Sequence, residues 1–110
     1  MEERYTIRVT AQAQEQLREI AHYIAYELQA PETALRMLET LETAMNTLSL
    51  FPSRIALTEE EPWRSRGVRR MPVKNYLVYF WIDEAAYIVQ IMAVIYGRRD
   101  QAERLAEMDR

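Results

Sequence analysis

Tyr5-Thr6-Ile7-Arg8-Val9 alternates apolar with polar side chains, and a period of two predicts a short strand with one buried face. The period then changes. Ala13, Leu17, Ile20, Ala21, Ile24 and Leu28 recur at steps of three and four, which predicts an amphipathic helix over residues 11–28. Thr10 stands before it with a hydroxyl suited to capping the first turn. Pro31 ends the pattern, because it has no N–H to donate inside a helix, yet it suits the first turn of the next one. Ala34, Leu38, Leu41, Met45 and Leu48 form the stripe of that second helix, and so short a link predicts an antiparallel hairpin. Phe51-Pro52-Ser53 stops it. The stretch to Arg66 has no sustained period and reads as a loop, with Glu59-Glu60-Glu61 as a solvated run of like charges.

Gly67 opens a run to Val73 whose Pro72 belongs on an edge strand or at a bulge. Asn75 to Ile82 is aromatic and β-branched enough for a central strand, Asp83-Glu84-Ala85-Ala86 makes a hairpin connection, and Tyr87 to Tyr96 is the next strand. These three form a meander, and Gln101 to Met108 reads as a short terminal helix. The expected fold is therefore α+β: an N-terminal strand and a helical hairpin packed on an antiparallel sheet, in a single domain over residues 1–110.

Composition narrows the setting. The chain has 110 residues, 49% of them hydrophobic and 28% charged, which is the make-up of a globular domain. It has no cysteine, which excludes disulfides and thiolate zinc sites and suits the cytoplasm. No stretch approaches the roughly 20 apolar residues of a membrane helix. Net charge is -3, against a surface that grips nucleic acid all over, but the charge is segregated. Residues 1–61 carry five arginines and eleven glutamates, while residues 62–99 carry Arg64, Arg66, Arg69, Arg70, Lys74, Arg98 and Arg99 against only Asp83 and Glu84. Arginine suits bidentate contact with phosphate or carboxylate, so the second half holds the candidate site.

Gly67-Val68-Arg69-Arg70-Met71-Pro72-Val73, then Asn75-Tyr76-Leu77-Val78-Tyr79, then Val89-Gln90-Ile91 leading into Ile95-Tyr96-Gly97-Arg98-Arg99-Asp100, follow a leucine-rich helix ending in Phe51-Pro52. In this order they resemble the RelE/ParE superfamily of type II toxin–antitoxin toxins over nearly the whole chain. The resemblance implies a growth-inhibiting toxin that needs no cofactor, neutralised by a cognate antitoxin, often in a heterotetramer. RelE-like members cut messenger RNA on the ribosome without a metal, and ParE-like members poison DNA gyrase. RelE-like ribonucleases usually place a basic residue just before the Leu-Val-Tyr of the central strand, where this chain has Tyr76. Others place histidine and tyrosine near the end of the last strand, where this chain has Tyr96-Gly97-Arg98. The Gly97-Arg98-Arg99-Asp100 ending is closer to the ParE-like branch.

Cleavage by attack of a 2′-hydroxyl needs a base, an acid and cations around the phosphorane-like charge. Arg69, Lys74, Arg98 and Arg99 would supply the cations and Tyr76, Tyr79 or Tyr96 a proton, but the base has no good candidate, since Asp100 suits an arginine partner. Without nuclease chemistry, Arg69, Lys74, Tyr76, Arg98 and Arg99 would instead contact a protein target. A third possibility is a non-toxic binding module. His22, the sole histidine, reads as a surface or boundary residue, Trp81 as core, and Trp63 as either a lid or an exposed contact.

Overall fold

The computed structural model of the chain describes residues 4–97 and residue 108. Strand β1 (Thr6–Val9) leads into helix α1 (Ala11–His22), and α2 (Pro31–Asn46) follows. Strands β2 (Arg69–Val73), β3 (Tyr76–Asp83) and β4 (Ile88–Tyr96) complete one sheet in the order β1-β4-β3-β2. The expected meander is present, with β2–β3 and β3–β4 both antiparallel. Strand β1, however, lies parallel to β4, so the sheet is mixed and not wholly antiparallel. Alternation within β1 settles which face is buried; the direction of its neighbour depends on the path the chain takes through both helices. The terminal helix expected over residues 101–108 lies outside the described residues except for Met108.

Thr10 caps α1 as expected, its hydroxyl accepting from the Ala13 N–H at 3.2 Å. The helix does not run unbroken to Leu28. At Tyr23 it widens into a π-helical turn (Tyr23–Glu27), and Gln29 takes a positive φ of 53° in the reversal before Pro31. The expected stripes face the sheet except at Leu28, which lies beyond the π-turn and is 56% exposed: Ala13, Leu41 and Leu48 pack with Val78, Phe80, Val89 and Ile91 in the main core, all with no measurable exposure.

A second apolar layer covers the opposite face of the sheet. There Val68, Tyr79, Ala93 and Ile95 are buried with Trp63 from the loop before β2 and with Met108. Burial on both faces explains why β3 and β4 read as nearly continuous hydrophobic runs. Pro72 lies on β2, an edge strand, as its missing N–H requires.

Strand β1 stops opposite Ile91 while β4 continues to Tyr96. The ladder is extended by a side chain: Gln16, buried on α1, accepts the Val94 N–H at 2.8 Å. A polar residue on the inner side of the helix thus replaces the missing strand. Among the described residues no helix is long and apolar enough to cross a membrane.

Candidate functional site

Lys74 and Asn75 form the tight turn between β2 and β3, both exposed, with Lys74 at a φ of 56°. The Asn75 carbonyl accepts the Gly97 N–H at 2.8 Å. A Cβ at Gly97 would sit 3.3 Å from that carbonyl, so glycine permits the close approach. One step inward Tyr76 pairs with Tyr96, their rings edge to face with centroids 5.6 Å apart. Hairpin geometry therefore gathers Lys74, Asn75, Tyr76, Tyr96 and Gly97 at one end of the sheet. Arg98, Arg99 and Asp100 come next in the chain and lie outside the described residues.

Arg69 is not part of this group. It pairs with Phe80 at the far end of β2, and five strand positions from Lys74 amount to about 17 Å. Its guanidinium donates to the carbonyls of Ser53 at 3.2 Å and Ile55 at 2.6 Å. Tyr76 is placed differently from an exposed contact residue, because its side chain is 9% exposed and belongs to the main core. Of the five residues singled out from sequence, the structure brings Lys74 and Tyr76 together, separates Arg69 from them and does not describe the other two.

Much of the basic charge in the middle of the chain is committed to the loop over residues 50–68. Arg54 donates to the carbonyls of Leu50 at 2.7 Å and Phe51 at 3.1 Å and to the Thr47 hydroxyl at 3.0 Å. This bracing holds Phe51, 60% exposed, at a φ of 49°, a conformation unusual for an aromatic residue. Arg66 lies over the Trp63 ring, 5.3 Å from its centroid, and Arg70 pairs with Glu60 at 3.3 Å. Glu60 also accepts from the Thr58 hydroxyl. The three-glutamate run is thus more than solvated charge: Glu60 ties the loop to β2, and Glu61 accepts the Ser65 N–H at 3.0 Å. Hydrogen bonds from Ser65, side chain first and then backbone, hold the Glu61 carboxyl below its ordinary range. Trp63 proves to be a lid, packed on the outer face of the sheet. Sequence reasoning missed the Glu60–Arg70 pair, for which ten residues of irregular chain offered no periodic signal.

Tyr79 lies under this lid, its side chain packed in the second core. Its hydroxyl makes no well-formed hydrogen bond, although Arg70 is its near neighbour. Burial first, and the Glu60 charge second, raise its pKa above the ordinary phenol value, against a smaller opposing effect of Arg70. A proton held this firmly is poorly suited to general acid catalysis.

A cleft of about 660 Å³ opens between the far half of the hairpin and this end of the sheet. Ile20, Tyr23, Leu28 and Met37 wall it, and Tyr76 and Tyr96 lie at its base. Nothing in the apolar spacing of the first helix pointed to this cleft, although Tyr23 on its wall lies off the main stripe. His22 is exposed and stacks on Tyr26 with ring centroids 4.6 Å apart. Among the described residues no three His, Cys, Asp or Glu side chains come together as metal ligands.

A family model described as the ParE toxin of the type II toxin–antitoxin system parDE matches residues 7–101. The fold is similar to a structure of the chromosomal ParDE toxin–antitoxin system of P. aeruginosa, with a TM-score of 0.66 and 21% identity over 84% of this chain and 95% of that one. It is also similar to a chain of the RelBE2 toxin–antitoxin complex of Mycobacterium tuberculosis, with a TM-score of 0.60 and 21% identity over 86% and 92%. No curated protein matches by sequence.

Proposed function

The chain belongs to the ParE toxin family of type II toxin–antitoxin systems, and from that premise we propose that its cellular target is DNA gyrase, engaged through the exposed sheet end at Lys74. Arg98 and Arg99, which follow Gly97 in the chain, extend the same positive charge in this reading. A cognate antitoxin neutralises the toxin by burying apolar side chains against the hairpin.

The observation that carries the choice of target is Tyr76. Cutting RNA in the RelE-like manner calls for a cation just before the Leu-Val-Tyr segment, able to meet a phosphate. Here the position holds a neutral phenol turned into the core against Tyr96. The described residues of the sheet end itself supply one ammonium group and phenols and no imidazole, and the carboxylate that lines the adjoining cleft, Glu19, stands on the facing helix α1. Such a surface suits docking onto carboxylates of a protein better than phosphodiester cleavage.

The test uses purified toxin in two assays, gyrase supercoiling and translating ribosomes carrying a labelled messenger. The expected result is loss of supercoiling with the messenger intact. Lys74→Glu should weaken the inhibition by about tenfold, equivalent to roughly 1.4 kcal/mol of contact energy. Discrete cuts at codon positions, with supercoiling unaffected, would overturn the gyrase reading in favour of ribosome-dependent RNA cleavage.

A further inference from the structure

The cleft between the hairpin and the sheet end has a volume of about 660 Å³, inside the range of roughly 300–1,000 Å³ that small-molecule sites occupy. Three phenol rings line it, each from a different element: Tyr23 from the π-turn, Tyr76 from β3 and Tyr96 from β4. The sheet fixes two of them, since Tyr76 and Tyr96 are cross-strand partners packed edge to face. The third is placed by Gln16, whose bond to the Val94 N–H pins α1 against β4 where both enter the lining of the cleft. Glu19 and Tyr23 follow Gln16 at steps of three and four, on the same side of the helix, and Tyr96 follows Val94 two residues along β4.

The charge of this lining has one sign. Among the described residues Glu19 is the only charged side chain that lines the cleft, and Lys74 at the neighbouring turn is not part of the wall. A phosphate or carboxylate ligand would meet a carboxylate there and no cation, which opposes its entry. A phenol ring presents a negative π face, and a cation within about 6 Å of such a face is attracted to it, most strongly where water is excluded. Phenols on facing walls with a carboxylate beside them are therefore the chemistry of an ammonium receptor. A bare small cation would leave most of the volume empty. Ile20, Leu28 and Met37 supply apolar wall for a hydrocarbon body attached to it.

We propose that the cleft is a binding site for a small quaternary ammonium ion with an apolar body, its charged head against Glu19, Tyr23 and Tyr96 and its body along Ile20, Leu28 and Met37. Tyr76, nearly buried, forms the floor and holds the Tyr96 ring in place. A quaternary nitrogen suits the lining better than a primary one, because it carries no N–H that would need an acceptor inside a largely apolar cavity. The inference goes beyond the toxin reading and does not depend on it, since it rests on the chemistry of the lining. Trading the charged nitrogen for carbon keeps the ligand's shape and removes its attraction to both the rings and the carboxylate, which makes charge the property the site selects.

The probes are benzyltrimethylammonium, choline and 3,3-dimethylbutanol, the neutral isostere of choline, each titrated into the full chain and followed through the tyrosine ring resonances, with thermal unfolding of every variant as a folding control. Benzyltrimethylammonium should bind with a Kd below about 1 mM and choline more weakly, with the isostere at least about tenfold weaker than choline. Tyr23→Phe keeps the π face and should stay within about twofold of wild type, whereas Tyr23→Leu and Glu19→Gln should each lose about three- to tenfold. Equal binding of choline and its isostere would overturn the inference and leave an unselective apolar slot. Wild-type affinity in folded Tyr23→Leu would overturn it too, as would the absence of binding by benzyltrimethylammonium up to about 10 mM. Tighter binding of adenosine monophosphate than of benzyltrimethylammonium would reassign the cleft to anions. None of these outcomes bears on the gyrase reading, which is decided by supercoiling.

Discussion

Tyr79 shows how much a single side chain can depend on its surroundings. Its ring fills the space between the sheet and the Trp63 lid, and its hydroxyl has no well-formed bond there. Replacing it with phenylalanine keeps the packing and removes a poorly satisfied polar atom, so stability at neutral pH should stay within about 1 kcal/mol of wild type. The difference should appear in alkali. Because burial raises the folded-state value, the native chain keeps a proton that the unfolded chain releases. That stabilisation is complete below the unfolded value, near 10, and is lost as pH rises through the folded one. Urea denaturation between pH 9 and 11 should therefore show a steeper loss for wild type than for Tyr79→Phe, and parallel curves would contradict the assignment. The sequence placed Tyr79 on a central strand and offered it as a proton donor. Its burial under the lid depended on residues more than ten positions away.

At the scale of elements, α1 does more than cover the sheet. Thr10 and Gln16 connect it to β4, the first through its backbone N–H to the Ile91 carbonyl at 3.0 Å and the second through its side chain to Val94. Gln16→Leu should strand the buried Val94 N–H and cost about 1–3 kcal/mol, whereas Gln16→Glu keeps an acceptor and should cost less. Denaturant midpoints of the two variants would check the order, and equal losses would mean that the hydrogen bond contributes little. Periodicity located both helices and capped the first correctly, because apolar spacing and an N-terminal hydroxyl are local features. It could not foresee Gln16 as a surrogate strand, since glutamine in a helix looks the same whether or not a ladder ends beside it. The π-turn escaped for a similar reason: one additional residue per turn barely disturbs a short stripe.

The whole molecule has two apolar layers of unequal weight. Leu41→Ala empties space in the main core between hairpin and sheet, where deletions of this kind cost about 2–5 kcal/mol. Met108→Ala acts on the outer layer, 5% exposed and covered by a loop, where flexible packing should hold the loss to about 1–2 kcal/mol. Thermal melts should rank the pair in that order, and the reverse would make the outer layer the stronger one. The sequence by itself determined the four strands, the two main helices and the family, because repeat patterns and short motifs are written within a few residues of one another. Tertiary structure alone decided that β1 runs parallel to β4 and that Arg69 sits a strand's length from Lys74. It also decided that the central arginines grip a loop, and that Ile20, Tyr23, Leu28 and Met37 wall a cleft against the sheet end. Those outcomes follow from where distant segments meet, and a hydrogen bond or an ion pair responds to distance in space, not to separation along the chain.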